Sequence, residues 1–180
     1  MPFEFEKTSI PDVILITPKV FEDERGFLFE TYEKSAFEKA GICGDFVLNF
    51  ESRSKYGVLR GLHFQKKPYG QAKIVRCTSG KILDVAVDIR KDSATFEKYV
   101  SVELSEKNKK MLYIPKGFAH GFVVLSEFAD VFYSVDNVYA PKYESGIIWN
   151  DHTANIKWPI DAPLISEKDK KLLSLKNILK

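Results

Sequence analysis

The chain has 180 residues, 44% of them hydrophobic and 29% charged, with 27 basic side chains against 25 acidic ones. That length suits a single domain spanning residues 1–180 with a substantial core, and a net charge of +2 gives no bulk field for nucleic acid or a membrane surface. Two cysteines allow at most one bridge, no apolar run approaches the ~20 residues of a membrane helix, and MPFEFEKTSI is too polar for a secretory leader, so a cytoplasmic protein is expected.

Short β-prone runs recur along the chain between Gly, Pro, Asn, Ser and Lys punctuation. They lie at 13–17, 46–50, 57–64, 73–77, 82–89, 99–104, 111–114, 121–125 and 131–135. This density predicts a mainly β, antiparallel sandwich or barrel rather than alternating βαβ units. The run at 82–89 alternates most cleanly. Leu83, Val85, Val87 and Ile89 share one face, and Asp84, Ala86 and Asp88 share the other, which predicts a polar lumen. Helix signals are sparse. Ser35 and Glu38 have capping-box spacing and Gly41 is a stop, which predicts a helix at 36–40. A short turn is expected at 166–171, the charges of SEKNKK at 105–110 read as a solvated turn, and the basic tail after Asp161 is expected to wrap over the barrel. No repeat, low-complexity run or linker interrupts the chain.

Chemistry concentrates in a few segments. GVLRGLHFQ at 57–65 sets His63 three residues after Arg60, a permanent cation suited to phosphate beside a side chain that moves protons near neutral pH. IPKGFAHGFVV at 114–124 flanks His120 with glycines that allow close approach, and VFYSVDNVYAP at 131–141 carries Tyr133 and Tyr139. Lys73 and Arg76 fall on opposite faces of one strand. A lysine aimed into a lumen needs a partner, and Asp84 or Asp88 on the next strand could supply it. Taken singly, a strand histidine or a tyrosine at such a position is more often a packing residue. His63, His120 and His152 show no HxH or HxxxH spacing and the cysteines no CxxC, so no metal is expected, although His63, His120 and an acid could form a site. No glycine-rich phosphate loop is present, and Cys77 reads as a buried, inert thiol.

Taken in order, these segments resemble the dTDP-4-dehydrorhamnose 3,5-epimerase family. The matching runs are PKVFEDERGF at 18–27, SRSKYGVLRGLHFQ at 52–65, KIVR at 73–76 and DVAVDIRKDSATF at 84–96. They continue with ELSEKNKKMLYIPKGFAHGFVVLS at 103–126, YAPKYESGIIWND at 139–151 and ISEKD at 165–169. The resemblance implies a cupin-type jelly-roll subunit in a homodimer with exchanged N-terminal strands, acting on a nucleotide sugar without metal or organic cofactor. It implies that His63 is a base oriented by Asp169, that Tyr133 is the opposing proton donor and that Lys73 steadies an enolate. It also assigns Arg25 and Arg60 to phosphate and nucleotide contacts and Glu30 to the base. Asn49, His120, Tyr139, Glu144 and Lys168 complete the implied substrate-binding set.

The chain departs from the family at two places. Leu48-Asn49-Phe50 stands where the family commonly reads QDN, and Leu28 follows Phe27 where a second aromatic is usual. Leucine neither makes glutamine's hydrogen bonds nor stacks well on a base. The alternatives are therefore a related epimerase with another nucleotide or a single-carbon specificity, and a non-catalytic sugar-nucleotide-binding cupin.

Overall fold

The computed structural model describes residues 2–178. In chain order its strands are β1 (Phe3–Lys7), β2 (Ile14–Pro18), β3 (Phe21–Asp23), β4 (Gly26–Leu28), β5 (Leu48–Lys55), β6 (Leu59–Gln65) and β7 (Lys73–Ser79). They continue with β8 (Lys81–Asp88), β9 (Tyr99–Ser105), β10 (Met111–Ile114), β11 (Phe118–Val124), β12 (Phe128–Val135) and β13 (Glu144–Gly146). Two short helices, α1 (Lys34–Lys39) and α2 (Leu175–Ile178), lie outside the sheets. A six-stranded sheet ordered β1-β2-β10-β7-β12-β5 faces a five-stranded sheet ordered β13-β6-β11-β8-β9, and β3 pairs with β4 as a separate hairpin. All these pairings are antiparallel, which makes a jelly-roll sandwich of the mainly β class expected from the strand density.

Strand alternation decides what fills the space between the sheets. Val75 and Cys77 of β7, Leu112 and Ile114 of β10, and Val131 and Val135 of β12 pack on Ile82 and Ala86 of β8 and on Phe118 and Phe122 of β11. The opposite face of β8 turns Val85 and Val87 outward, where Ile147, Ala154 and Leu175 of the C-terminal region cover them. The tail therefore packs over the barrel as its composition suggested. On the other outer face, Phe37 of α1 and Phe3 of β1 cover Ile16, Ile74 and Met111.

Several boundaries differ from the sequence expectation for identifiable reasons. Helix α1 starts earlier because Glu33, not Ser35, is its cap: the Glu33 carboxylate accepts from the N–H groups of Ser35 and Ala36. Strand β5 runs on to Lys55 because every residue from Leu48 to Lys55 finds a partner on β12. Strand β1 lies outside the expected strands although Phe3-Glu4-Phe5 alternates, because charge at every second position suits a solvated end as readily as a half-buried strand.

Candidate active site

The site begins with two strands pressed close together. A Cβ on Gly61 would lie 2.5 Å from the Gly121 Cα, and Gly61 holds φ at +134°, so glycine is required where β6 passes β11. This contact lies beside the point where two histidines come into register, His63 of β6 opposite His120 of β11. Both line a cavity of about 750 Å³ between the sheets, together with Arg60, Lys73, Tyr133 and Asp169. A second lobe of about 410 Å³ shares His63, Lys73 and Phe50 with it and is closed by Leu48, Tyr139 and Glu144.

The C-terminal segment delivers Asp169 to His63. Leu164 bridges to Val58, and the Asp169 N–H donates to the Ser166 hydroxyl, which fixes the turn that carries the acid. Asp169 Oδ1 sits 2.7 Å from His63 Nε2. Burial pushes the Asp169 carboxyl upward, but the hydrogen bond from His63, joined by the ring's charge whenever it is protonated, outweighs it and holds the group below its ordinary value. A carboxylate only accepts, so Nε2 carries a proton and Nδ1 is left as the basic nitrogen. The His63 side chain keeps 31% of its surface, open to the cavity.

A second histidine–acid pair forms the floor. His120 Nε2 lies 2.7 Å from Asp84 Oδ1, and both residues are buried. Desolvation lowers His120 against the opposing pull of Asp84, so this ring is neutral near neutral pH. The second oxygen of Asp84 has no hydrogen-bond partner. Its charge reaches two neighbours instead. Lys73 is desolvated and pushed down to about 8, with Asp84 and Glu144 pulling the other way. Tyr133 is raised far above an ordinary phenol by burial first and by Asp84 second, while Ser52 and Arg60 oppose the rise. Asp88, the other acid considered as a partner for Lys73, is already held by Arg90, Ser93 and Thr95.

At the rim, Arg60 is anchored through Nε on the Ser54 hydroxyl. Glu144 accepts from the Tyr139 hydroxyl and from Lys168 Nζ, which gathers three of the expected pocket residues into one cluster. Three others are not brought there. Asn49 lies on the outer face of β5 beside Tyr32, Arg76 and Phe132, because alternation turns it away from the cavity. Arg25 pairs with Asp23 on the exposed β3–β4 hairpin, and Glu30 is exposed just beyond it. The inward positions of β5 are Leu48, Phe50, Ser52 and Ser54, and Phe50 stacks on Tyr133. The period of two was readable in SRS and the residues before it; the pairing of Asp84 with His120 was not, since it depends on register between β8 and β11. Among the described residues no group of three or more His, Cys, Asp or Glu side chains is arranged to hold a metal ion. Cys43 and Cys77 are unpaired, and burial raises the Cys77 thiol to about 12.

Comparison with known proteins gives a consistent picture. The sequence pattern of the family described as dTDP-4-dehydrorhamnose 3,5-epimerase matches residues 7–177. The chain is 54% identical over 164 residues to the dTDP-4-dehydrorhamnose 3,5-epimerase of Shigella flexneri, covering 91% of each protein. A crystal structure of the Elizabethkingia anophelis dTDP-4-dehydrorhamnose 3,5-epimerase superposes with a TM-score of 0.95 at 45% identity, covering 100% of both chains. A 3,5-epimerase from Legionella pneumophila in complex with dTDP-4-keto-L-rhamnose gives the same TM-score, 0.95, at 42% identity, covering 98% of this chain and 94% of that one.

Proposed function

The chain belongs to the dTDP-4-dehydrorhamnose 3,5-epimerase family of isomerases, and from that premise we propose that it inverts C3 and C5 of dTDP-4-dehydro-6-deoxy-D-glucose to give dTDP-4-dehydro-L-rhamnose. The C–H bonds flanking a 4-keto group are acidic because the electron pair left behind delocalises onto the ketone oxygen as an enolate. His63 Nδ1 takes the proton from one face. Asp169 holds the ring in the tautomer that leaves Nδ1 free and stabilises the imidazolium that forms. The Lys73 ammonium balances the charge developing on the enolate oxygen in a dry, preorganised setting. Tyr133 donates its phenolic proton to the opposite face of the same carbon and is reprotonated from solvent, and His63 releases its proton to solvent. The cycle then repeats at the second carbon.

The single observation that carries this reading is the convergence on one cavity of an acid-oriented histidine, a neutral buried tyrosine and a lysine of lowered basicity. Arg60 and Lys168 at the rim supply cations for the diphosphate. The β3–β4 hairpin supports a homodimer with exchanged arms. Phe21, Phe27 and Leu28 are exposed there beside Arg25, an apolar and cationic surface that would suit the neighbouring subunit's nucleotide. Cytoplasmic action fits the two unpaired cysteines, and among the described residues no helix is long and apolar enough to cross a membrane.

Incubation with dTDP-4-keto-6-deoxyglucose in heavy water tests the assignment. Deuterium at both C3 and C5 of the product is expected. Label at one carbon alone would make the protein a single-carbon epimerase, and no label would remove the epimerase reading.

A further inference from the structure

Tyr133 has an aromatic neighbour that both packs on it and stays open to the cavity. Phe50 of β5 is the cross-strand partner of Tyr133 on β12, and their rings stack with centroids 4.5 Å apart and planes 12° from parallel. The two residues differ sharply in burial: Tyr133 is 6% exposed, whereas Phe50 is 43% exposed and stands on the wall shared by both lobes of the cavity. One face of the Phe50 ring is covered by the tyrosine, while much of the rest stays open to the cavity. On another side, the His120 ring meets Tyr133 edge-on at 6.0 Å and 76°.

We propose that Phe50 is a positioning residue that sets the plane of the Tyr133 ring and so the direction in which its hydroxyl delivers a proton; this rests on Tyr133 being the acid of the epimerisation. Conjugation of the phenol oxygen with the ring keeps the O–H bond close to the ring plane. Rotation about the Cβ–Cγ bond leaves the oxygen in place but swings the proton and the lone pairs around it. Packing in the core fixes where the oxygen is, and the flat contact with Phe50 fixes which way the O–H points. Phenylalanine also offers the phenol no acceptor, so it withholds a competing hydrogen bond and excludes water from that face, in keeping with the raised value of the phenol. The aromatic pair as a mere sheet stabiliser would affect folding and not the outcome of the reaction.

The outcome to read is the partition between exchange and inversion. His63 alone can remove a proton and return a deuteron to the same face, giving label with the original configuration. Inversion needs the tyrosine. In heavy water with dTDP-4-keto-6-deoxyglucose, Phe50→Asn should keep C–H exchange within about twofold of the native enzyme and lose roughly tenfold in inversion, the scale expected for a misaligned reacting group. Phe50→Leu keeps apolar bulk without a ring, should uncouple in the same sense, and reports even if the asparagine variant does not fold. Phe50→Tyr keeps the stack and should restore the native partition. Tyr133→Phe is the reference and should uncouple most strongly. Exchange and inversion falling in step in both Phe50→Asn and Phe50→Leu, or a native partition in both, would overturn the positioning role. If those variants behave so while Tyr133→Phe uncouples, only the role of Phe50 falls. If Tyr133→Phe inverts normally, the acid assignment itself is wrong.

Discussion

Two histidine–aspartate pairs stand side by side in this barrel with the same 2.7 Å contact through Nε2, and they are built for different work. His63 and Asp169 meet at the cavity wall, where the ring keeps 31% of its side-chain surface and its acid arrives on the C-terminal segment. His120 and Asp84 sit on adjacent central strands, with the ring 4% and the acid 0% exposed. Burial lowers His120 and keeps it neutral, so it is a poor proton carrier. Its acid has an oxygen to spare, which acts through space on Lys73 and Tyr133. The same pair of residue types thus stands open to the cavity in one place, where the proposed mechanism uses it to move protons, and sealed in the other, where it can only act as fixed charge.

The most severe way to break this distinction is to remove the cavity-facing pair. If His63 is the base proposed above, His63→Ala should lower kcat by ~10³-fold while leaving dTDP affinity within about twofold, because in that role the ring moves protons and does not hold the nucleotide. Asp169→Asn should cost roughly 10²-fold, since an amide no longer selects the tautomer with Nδ1 free. Exchange kinetics and calorimetric titration with dTDP measure the two effects separately. A His63→Ala enzyme that still exchanges would transfer the base role elsewhere.

Removing the charge of the second pair should sharpen the contrast by moving a pH profile more than a rate. In the proposed mechanism Lys73 must be charged to steady the enolate, so its contribution is full below about 8 and is lost as pH rises through that value, which makes it the alkaline limb. Asp84 and Glu144 are the groups that raise Lys73 against its desolvation, with Asp84 the stronger. Asp84→Asn therefore lowers Lys73 further, and the alkaline limb of kcat/KM should move down by roughly one pH unit. An unmoved limb would mean that Asp84 does not act through Lys73.

How far these pairs could be read from sequence follows from how each is assembled. Local alternation was enough to place Asp84 inward on β8, and the glycines of IPKGFAHGFVV marked backbone around His120 that can be approached closely, whereas the tight passage at Gly61 beside His63 shows only in the structure. Cross-strand register was not legible: nothing local says that His120 falls opposite His63, or that Asp84 bonds the histidine rather than Lys73. Asp169 lies 106 residues beyond His63, and only the resemblance linked them. Asn49 shows the opposite hazard. A motif match offered it as a substrate contact, while the period of two sends it outward and gives the cavity Leu48 and Phe50. The hairpin that carries Arg25 and leads into Glu30 is too short and too exposed to announce itself by hydrophobic pattern.

The smallest expected effect on rate belongs to a third acid, and it tests whether any buried carboxylate on β8 matters or only the one paired with a histidine. Asp88 follows Asp84 by four residues on the same face of the strand and is equally buried. Its charge is spent locally: Arg90 forks onto both oxygens, and the Ser93 and Thr95 hydroxyls close the remaining positions. Burial pushes Asp88 up, but these donors win and hold it at about 2. A carboxyl lowered on folding stabilises the native state fully above its unfolded value near ~4, and that stability is lost as pH falls towards the folded value. Asp88→Asn should therefore cost about 2 kcal/mol at neutral pH and flatten the acid limb of the unfolding curve. Below the melting temperature its kcat/KM and pH profile should stay within about twofold of the native enzyme, because the Arg90 pair already neutralises the charge before it reaches Lys73. A shifted alkaline limb in Asp88→Asn would show that Lys73 responds to the general field of β8. An unshifted one, beside a shifted limb in Asp84→Asn, isolates the buried histidine–aspartate pair as the element that sets the lysine.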